Sequence, residues 1–165
     1  MIKPLPIFSL LRLSRFFLSL TLVISSTAAI AKDSVSIENA WIRPTSPGQD
    51  VGAAYMTFNS KQDVTLISAS SDATTSVEIH SMSMQNGVMK MRMLESLALK
   101  AGKPYKLEPG GFHLMLFDLK NPLTAGGYVN FELTFRSGDT EFKQQIKAPI
   151  KAPADIEDHD HNHHH

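Results

Sequence analysis

The 165-residue chain contains no cysteine. A blue-copper electron-transfer site requires a Cys thiolate, and thiol–disulfide exchange requires thiols, so both functions are excluded. A bacterial lipoprotein anchor, which is built on a cysteine, is likewise not expected. The sequence also lacks a Gly-rich phosphate loop, and its serines show no nearby His/Asp arrangement that would indicate nucleophilic catalysis. These absences argue against an enzyme.

The sequence also lacks an excess of either charge, because 16 basic residues balance 16 acidic ones. Residues 1–31 carry three of the basic residues and no acidic one, so the remainder has 13 basic and 16 acidic residues, a net charge of −3. A weakly acidic domain is a poor partner for nucleic acid or for an anionic membrane.

Residues 1–31 are predicted to be a secretory signal peptide. A basic start precedes the short apolar run Phe16–Ile24, and Ala29-Ile30-Ala31 has the small-x-small pattern of a cleavage site. The apolar run is shorter than the roughly 20 residues that span a membrane, so a retained N-terminal anchor is the less favoured alternative. We therefore expect a periplasmic protein without a membrane anchor in its mature form.

Residues 32–152 are predicted to form a single all-β domain, an antiparallel sandwich or barrel. Short apolar segments alternate with Gly- and Pro-containing turns, and neither an amphipathic helix nor an internal repeat is evident. The predicted strands are Val35–Ile42, Ala53–Phe58, Val64–Ala69, Val77–Met84, Val88–Leu94, Lys106–Glu108, Phe112–Leu119, Tyr128–Phe135 and Phe142–Ala148.

Methionine is concentrated in one predicted hairpin. Asn86-Gly87, flanked by alternating residues, is a strong signal for a two-residue turn. With that turn, three pairs face one another on one side of the hairpin: Met84 and Met89, Met82 and Met91, and His80 and Met93. His80 and Met91 are then diagonal neighbours, about 7–8 Å apart at the backbone, a gap that long side chains can bridge.

His80 and His113 are the only histidines outside the C-terminal tail, and His113 and Met115 point to the same face of their strand. Imidazole and thioether together form a soft, neutral ligand set that favours Cu(I). The alternative is that the methionines fill the core and the histidines are satisfied polar residues. Spacing alone does not identify which methionines would bind.

The spacing of His80, Met91, His113 and Met115 matches H-x10-M-x21-H-x-M, the signature of the PCuAC family of periplasmic copper chaperones. Three further segments, Trp41–Pro44, Val51–Met56 and Gly110–Leu116, also resemble this family, and the likeness covers nearly all of residues 35–135.

This resemblance implies a cupredoxin-like β-sandwich with a Cu(I) site at one exposed edge, held by the four signature residues. It also implies delivery of copper for assembly of the copper A centre of cytochrome c oxidase. The copper-accepting partner would be oxidase subunit II or another assembly chaperone, and we expect the protein to be a monomer. The remaining hairpin methionines, which are auxiliary ligands or packing residues, are Met82, Met84, Met89 and Met93.

Residues 153–165 are predicted to be a flexible tail in which histidines alternate with carboxylates. Its histidines are His159, His161, His163, His164 and His165. Imidazoles and carboxylates on a mobile segment suit Cu(II) or Zn(II), and the tail resembles extensions found in the same family. The alternatives are a solvated terminus or the remnant of an engineered tag. For the whole protein, the competing hypothesis is a secreted β-sandwich that serves as an interaction module with incidental metal affinity.

Overall fold

The computed structural model describes residues 35–151, which form ten β-strands. In chain order they are β1 (Val35–Ile42), β2 (Gly52–Ser60), β3 (Val64–Ser71), β4 (Ser76–Gln85), β5 (Val88–Leu94), β6 (Leu97–Leu99), β7 (Tyr105–Leu107), β8 (Phe112–Phe117), β9 (Tyr128–Ser137) and β10 (Thr140–Pro149). No helix within residues 35–151 is long and apolar enough to cross a membrane. The predicted signal peptide and tail lie outside the described residues.

The strands form two sheets. One has six strands in the order β1-β2-β7-β8-β4-β5, in which β2 pairs with both β7 and β8, and the other has four in the order β10-β9-β3-β6. All strand pairs are antiparallel except for a single parallel contact between Leu107 and Phe112. The predicted all-β, antiparallel fold is confirmed.

The core lies between the two sheets and is built from alternate residues of the long strands. On β9, Val129, Phe131, Leu133 and Phe135 are buried while their neighbours are more exposed. The ring of Phe135 packs in an edge-to-face arrangement against the ring of Phe58, which belongs to the other sheet. The ring centroids are 5.9 Å apart. Burying a large apolar side chain contributes about 1.5–3 kcal/mol, so this alternation fixes which face of each strand turns inward.

The predicted hairpin is confirmed. β4 and β5 are joined by Asn86 and Gly87, whose φ angles of 52° and 77° are those of a type I′ turn. The sequence missed β6, which has only three residues, and it extended the strand at Phe112 too far. β8 ends at Phe117 because Asp118 adopts a positive φ of 53°, which takes the chain out of the extended conformation.

Candidate functional site

Three neighbouring strands, β8, β4 and β5, bring the chemically distinctive residues onto one face of the six-stranded sheet. The β4–β5 register pairs His80 with Met93, Met82 with Met91 and Met84 with Met89, as predicted from the turn. Met91 is therefore a diagonal neighbour of His80, whereas Met93 is directly opposite it. The inner face of the same strands carries core residues such as Ile79.

His80 of β4 and His113 of β8 are directly opposite each other in the sheet. Their ring centroids are 5.8 Å apart and their planes are inclined by 34°. Residues on β8 thus reach the hairpin face from the adjacent strand of the same sheet. Met115 is paired with Glu78 and lies on the same face as His113.

His80 is only 8% exposed, and its ring has a defined hydrogen-bonding state. Its Nε2 lies 2.8 Å from Oε2 of Glu78. A carboxylate oxygen only accepts, so Nε2 carries the proton and donates it. The other ring nitrogen, Nδ1, is buried and has no hydrogen-bond partner. In the neutral ring, Nδ1 therefore holds a lone pair that nothing in residues 35–151 satisfies.

His113 is 4% exposed and is oriented by the backbone. Its Nδ1 donates to the carbonyl oxygen of Gly111 at 3.1 Å, which leaves Nε2 as the nitrogen with the lone pair. Burial lowers the pKa of His113 from 6.5, the nearby His80 lowers it further, and the Gly111 hydrogen bond partly opposes both effects. The ring is therefore neutral at physiological pH, the state in which imidazole can bind a metal.

Aromatic rings enclose the two histidines. The centroid of Tyr55 is 6.4 Å from that of His113, and the centroid of Phe117 is 6.0 Å from that of His80. Tyr55 in turn packs against Trp41 at 4.5 Å, and the guanidinium of Arg43 lies 5.8 Å from the Tyr55 centroid. These rings reduce the access of water to the imidazoles, which agrees with the lowered pKa of His113.

Glu78 and Phe117 also belong to this cluster, although neither was predicted from the sequence. Both were visible in principle, because Glu78 lies two residues before His80 and Phe117 two residues after Met115, so each shares a strand face with a residue already selected. Their contacts with His80 depend on side-chain orientation, which strand alternation does not determine.

The methionines differ from the histidines in exposure. Met115 is half-buried, whereas Met91 is 49% exposed. The other strongly exposed methionines are Met84 (64%), Met89 (43%) and Met93 (53%). Among the described methionines, only Met56 belongs to the buried core. The alternative that the hairpin methionines fill the core is wrong for these four side chains.

This arrangement places two imidazoles and several thioethers near one another. Within residues 35–151, no group of three or more His, Asp or Glu side chains is placed to hold a metal ion, so a carboxylate-rich site for a hard divalent cation is not seen there. The two histidines instead lie on one face of the sheet, together with methionines of the same and neighbouring strands. A metal–nitrogen bond is about 2 Å long, and a ring nitrogen lies about 1 Å from the ring centroid. The centroids of two rings that bind one ion can therefore be up to roughly 6 Å apart. The centroid separation of 5.8 Å between His80 and His113 falls within this limit.

Comparison with known proteins gives a family and a fold. The LpqE-like family model matches residues 35–150. Lxx21020 of Leifsonia xyli subsp. xyli, which is named as a lipoprotein, is 29% identical over 120 residues, or 72% of this chain and 70% of that protein.

Two solved structures show the same architecture. The solution structure of CuI-DR1885 from Deinococcus radiodurans is 30% identical, with a TM-score of 0.55 and coverage of 77% of this chain and 84% of that one. The copper-bound PCuAC domain from PmoF2 is 22% identical, with a TM-score of 0.60 and coverage of 73% and 94%. The predicted cupredoxin-like β-sandwich and the resemblance to PCuAC domains are confirmed.

Proposed function

The chain belongs to the LpqE-like family and has the fold of a PCuAC domain, and on that premise we propose that it is a copper chaperone that carries Cu(I). The observation that carries the proposal is the His80–His113 pair. The two rings are adjacent and buried, and His80 keeps a buried Nδ1 without a hydrogen-bond partner. A buried acceptor that is left unsatisfied is costly, and a bound metal ion would satisfy it.

We propose His80, Met91, His113 and Met115 as the Cu(I) ligands. We propose Nδ1 of His80 and Nε2 of His113 as the binding nitrogens, because the other nitrogen of each ring donates to Glu78 or Gly111. Thioether sulfur from Met91 and Met115 would complete a set that is neutral and soft, which favours Cu(I) over Cu(II). Met93, directly opposite His80, is the alternative sulfur ligand on β5.

A carrier must release its metal, and the exposure of the donors supports this role. The histidines are sheltered, so the ion would be partly protected from water. Met91 lies on the exposed strand β5, at the edge of the six-stranded sheet. An incoming protein could replace an exposed thioether ligand before it displaces the buried imidazoles. The proposal is therefore a carrier that exchanges ligands with an acceptor and catalyses no reaction.

We place this function in the periplasm, after removal of residues 1–31. The description of the family and of one relative as lipoproteins supports export, although this sequence contains no cysteine. The acceptor we propose is subunit II of cytochrome c oxidase, at its copper A centre, or another assembly chaperone. We further propose that the histidines of residues 153–165 bind Cu(II) through imidazole and carboxylate donors.

The test is an anaerobic titration with Cu(I) against a competing chelator. The wild-type protein should bind the first equivalent with a Kd well below micromolar. His113→Ala should weaken that binding at least tenfold while the apo domain stays folded. Met84→Leu, which removes a thioether of the same hairpin outside the signature, is the matched control and should leave the first equivalent unchanged.

Transfer distinguishes a chaperone from a domain with incidental metal affinity. The copper-loaded protein should pass Cu(I) to the soluble copper A domain of an oxidase subunit II. Transfer is measured as the copper content of each protein after the two are separated. Absence of saturable Cu(I) binding would exclude the chaperone and favour an interaction module. Tight binding without transfer would exclude this acceptor alone.

A further inference from the structure

The outer half of the β4–β5 hairpin extends beyond the sandwich core. Every residue of β5 from Val88 to Met93 is exposed, and so are the last three residues of β4. Both faces of this segment are therefore free of packing within the described part of the chain. One face carries polar and charged residues such as Lys90 and Arg92, and the other carries methionines. Because the methionine face covers no core, packing does not explain why its residues are methionines.

The register brings the thioethers close together. A two-residue turn is closed by a hydrogen-bonded pair, here Gln85 and Val88, so the pairs that follow alternate in type. Met84–Met89 and Met82–Met91 are then non-hydrogen-bonded pairs, in which the Cα atoms are only about 4.5 Å apart and the side chains are closest. The backbone agrees, because the N–H of Met82 bonds to the carbonyl of Gly111 on the β8 side, away from β5.

We propose that Met82, Met84 and Met89 form a second site, made only of thioethers, for a soft monovalent cation such as Cu(I) or Ag(I). Met84 and Met89 are directly opposite each other, and Met82 is diagonal to Met89 on the same face. Thioether sulfur selects Cu(I), and neutral donors on an exposed surface do not attract hard divalent cations. All three residues lie outside the four-ligand set proposed above.

Met91 links the two sites. It is directly opposite Met82 of the outer site and diagonal to His80 of the inner one. A cation bound at the hairpin end can therefore move to the histidines by exchanging one thioether at a time, with Met91 as the shared ligand. By this path the hairpin is the route through which Cu(I) enters or leaves the His80–His113 pair. The path rests on the proposed function, because it requires Cu(I) to bind that pair.

The experiment is a titration of the full-length protein with Ag(I), a redox-stable probe, followed by NMR of 13C-labelled methionine methyl groups. The first equivalent of Ag(I) should shift the methyl resonance of Met115. A later equivalent should shift the methyl resonances of Met84 and Met89. Met84→Leu/Met89→Leu keeps the apolar character of the face and should bind one equivalent fewer than wild type, with the first equivalent unaffected. Val88→Ser is the matched control, since it changes an exposed apolar residue of the hairpin end without removing a sulfur.

The outcomes separate this inference from the proposed function. His113→Ala should lose the first equivalent and retain the shifts of Met84 and Met89. If those shifts are seen but the methyl group of Met115 never responds, the second site stands and the chaperone site is wrong. If the methyl groups of Met84 and Met89 do not respond to Ag(I), or if the double Leu variant binds as much Ag(I) as wild type, the second site does not exist.

Discussion

The rings of His80 and His113 lie 5.8 Å apart on neighbouring strands, and each ring is held by a different acceptor. Glu78 fixes the proton of His80 on Nε2, and the carbonyl of Gly111 fixes that of His113 on Nδ1. The two imidazoles therefore present lone pairs from different ring positions. This difference follows from the local partner of each ring, which fixes the tautomer of that ring.

Removal of the Glu78 carboxylate should weaken Cu(I) binding without abolishing it. Glu78→Leu releases Nε2 of His80, so the ring can rotate or change tautomer, and losses of this kind typically reduce metal affinity by about 10–100-fold. The measurement is chelator competition under anaerobic conditions. Glu95→Leu, which removes an exposed carboxylate just after β5, should have no effect. Equal affinities for the two variants would show that Glu78 does not position His80.

The pH dependence of Cu(I) affinity should reflect the lowered pKa of His113. Protons compete with the metal at His113 only where that ring is protonated, so His113 should contribute no change in affinity from pH 8 to 7. Through protonation of this ring the affinity should fall, by about tenfold per pH unit for one competing proton, only below the ordinary histidine value of 6.5. Constant affinity down to pH 4 would contradict the assignment of His113 as a ligand.

The same shift affects the stability of the apo protein, so folding must be monitored in that experiment. A histidine whose pKa is lower in the folded state binds more protons when unfolded. Its contribution to the free energy of unfolding is therefore fully present above pH 6.5 and is lost as the pH falls through the lowered pKa. Circular dichroism of the apo protein at each pH separates lost affinity from lost structure.

Truncation of a core ring should destabilise the sandwich without a direct effect on the metal donors. Phe135 is fully buried, meets Phe58 across the core and stacks on Phe142 at 5.4 Å. Phe135→Ala should reduce the free energy of unfolding by about 3–5 kcal/mol, measured by urea denaturation of the apo protein. Tyr128→Ala on the same strand, where the ring is 60% exposed, should cost far less. Similar losses would contradict the described core.

Deletion of residues 153–165 should remove a Cu(II) site and preserve Cu(I) binding. The tail contains imidazole and carboxylate donors, which suit the oxidised ion, whereas the proposed sandwich site contains thioethers. Cu(II) titration of full-length and truncated protein, read by paramagnetic resonance, measures the number of sites. Unchanged Cu(II) stoichiometry would identify the tail as a solvated terminus.

The hairpin was the most predictable part of the fold. Asn86-Gly87 determines a turn with two positive φ angles, and strand alternation then determines every pair from Gln85–Val88 to His80–Met93. Short β6 was not predictable, because its three residues have no pattern that distinguishes a strand from a loop.

The residues of the candidate site could be selected from the sequence, but their arrangement in space could not. His80 and His113 are 33 positions apart, and their pairing depends on β8 lying beside β4, a tertiary relationship that local sequence does not specify. The hydrogen bond from His80 to Glu78 and the enclosure by Tyr55 and Phe117 depend on packing around the rings. The candidate residues could therefore be selected from the sequence before the geometry that orients them was known.

X-ray absorption of the protein loaded with one equivalent of Cu(I) identifies the atoms bound to the metal and so tests the proposed His80, Met91, His113 and Met115 site. We expect a first shell of mixed nitrogen and sulfur, with imidazole scattering beyond it. His80→Ala/His113→Ala should remove the imidazole signal. A wild-type spectrum with only nitrogen and oxygen neighbours, or with sulfur and no imidazole, would contradict the proposed site.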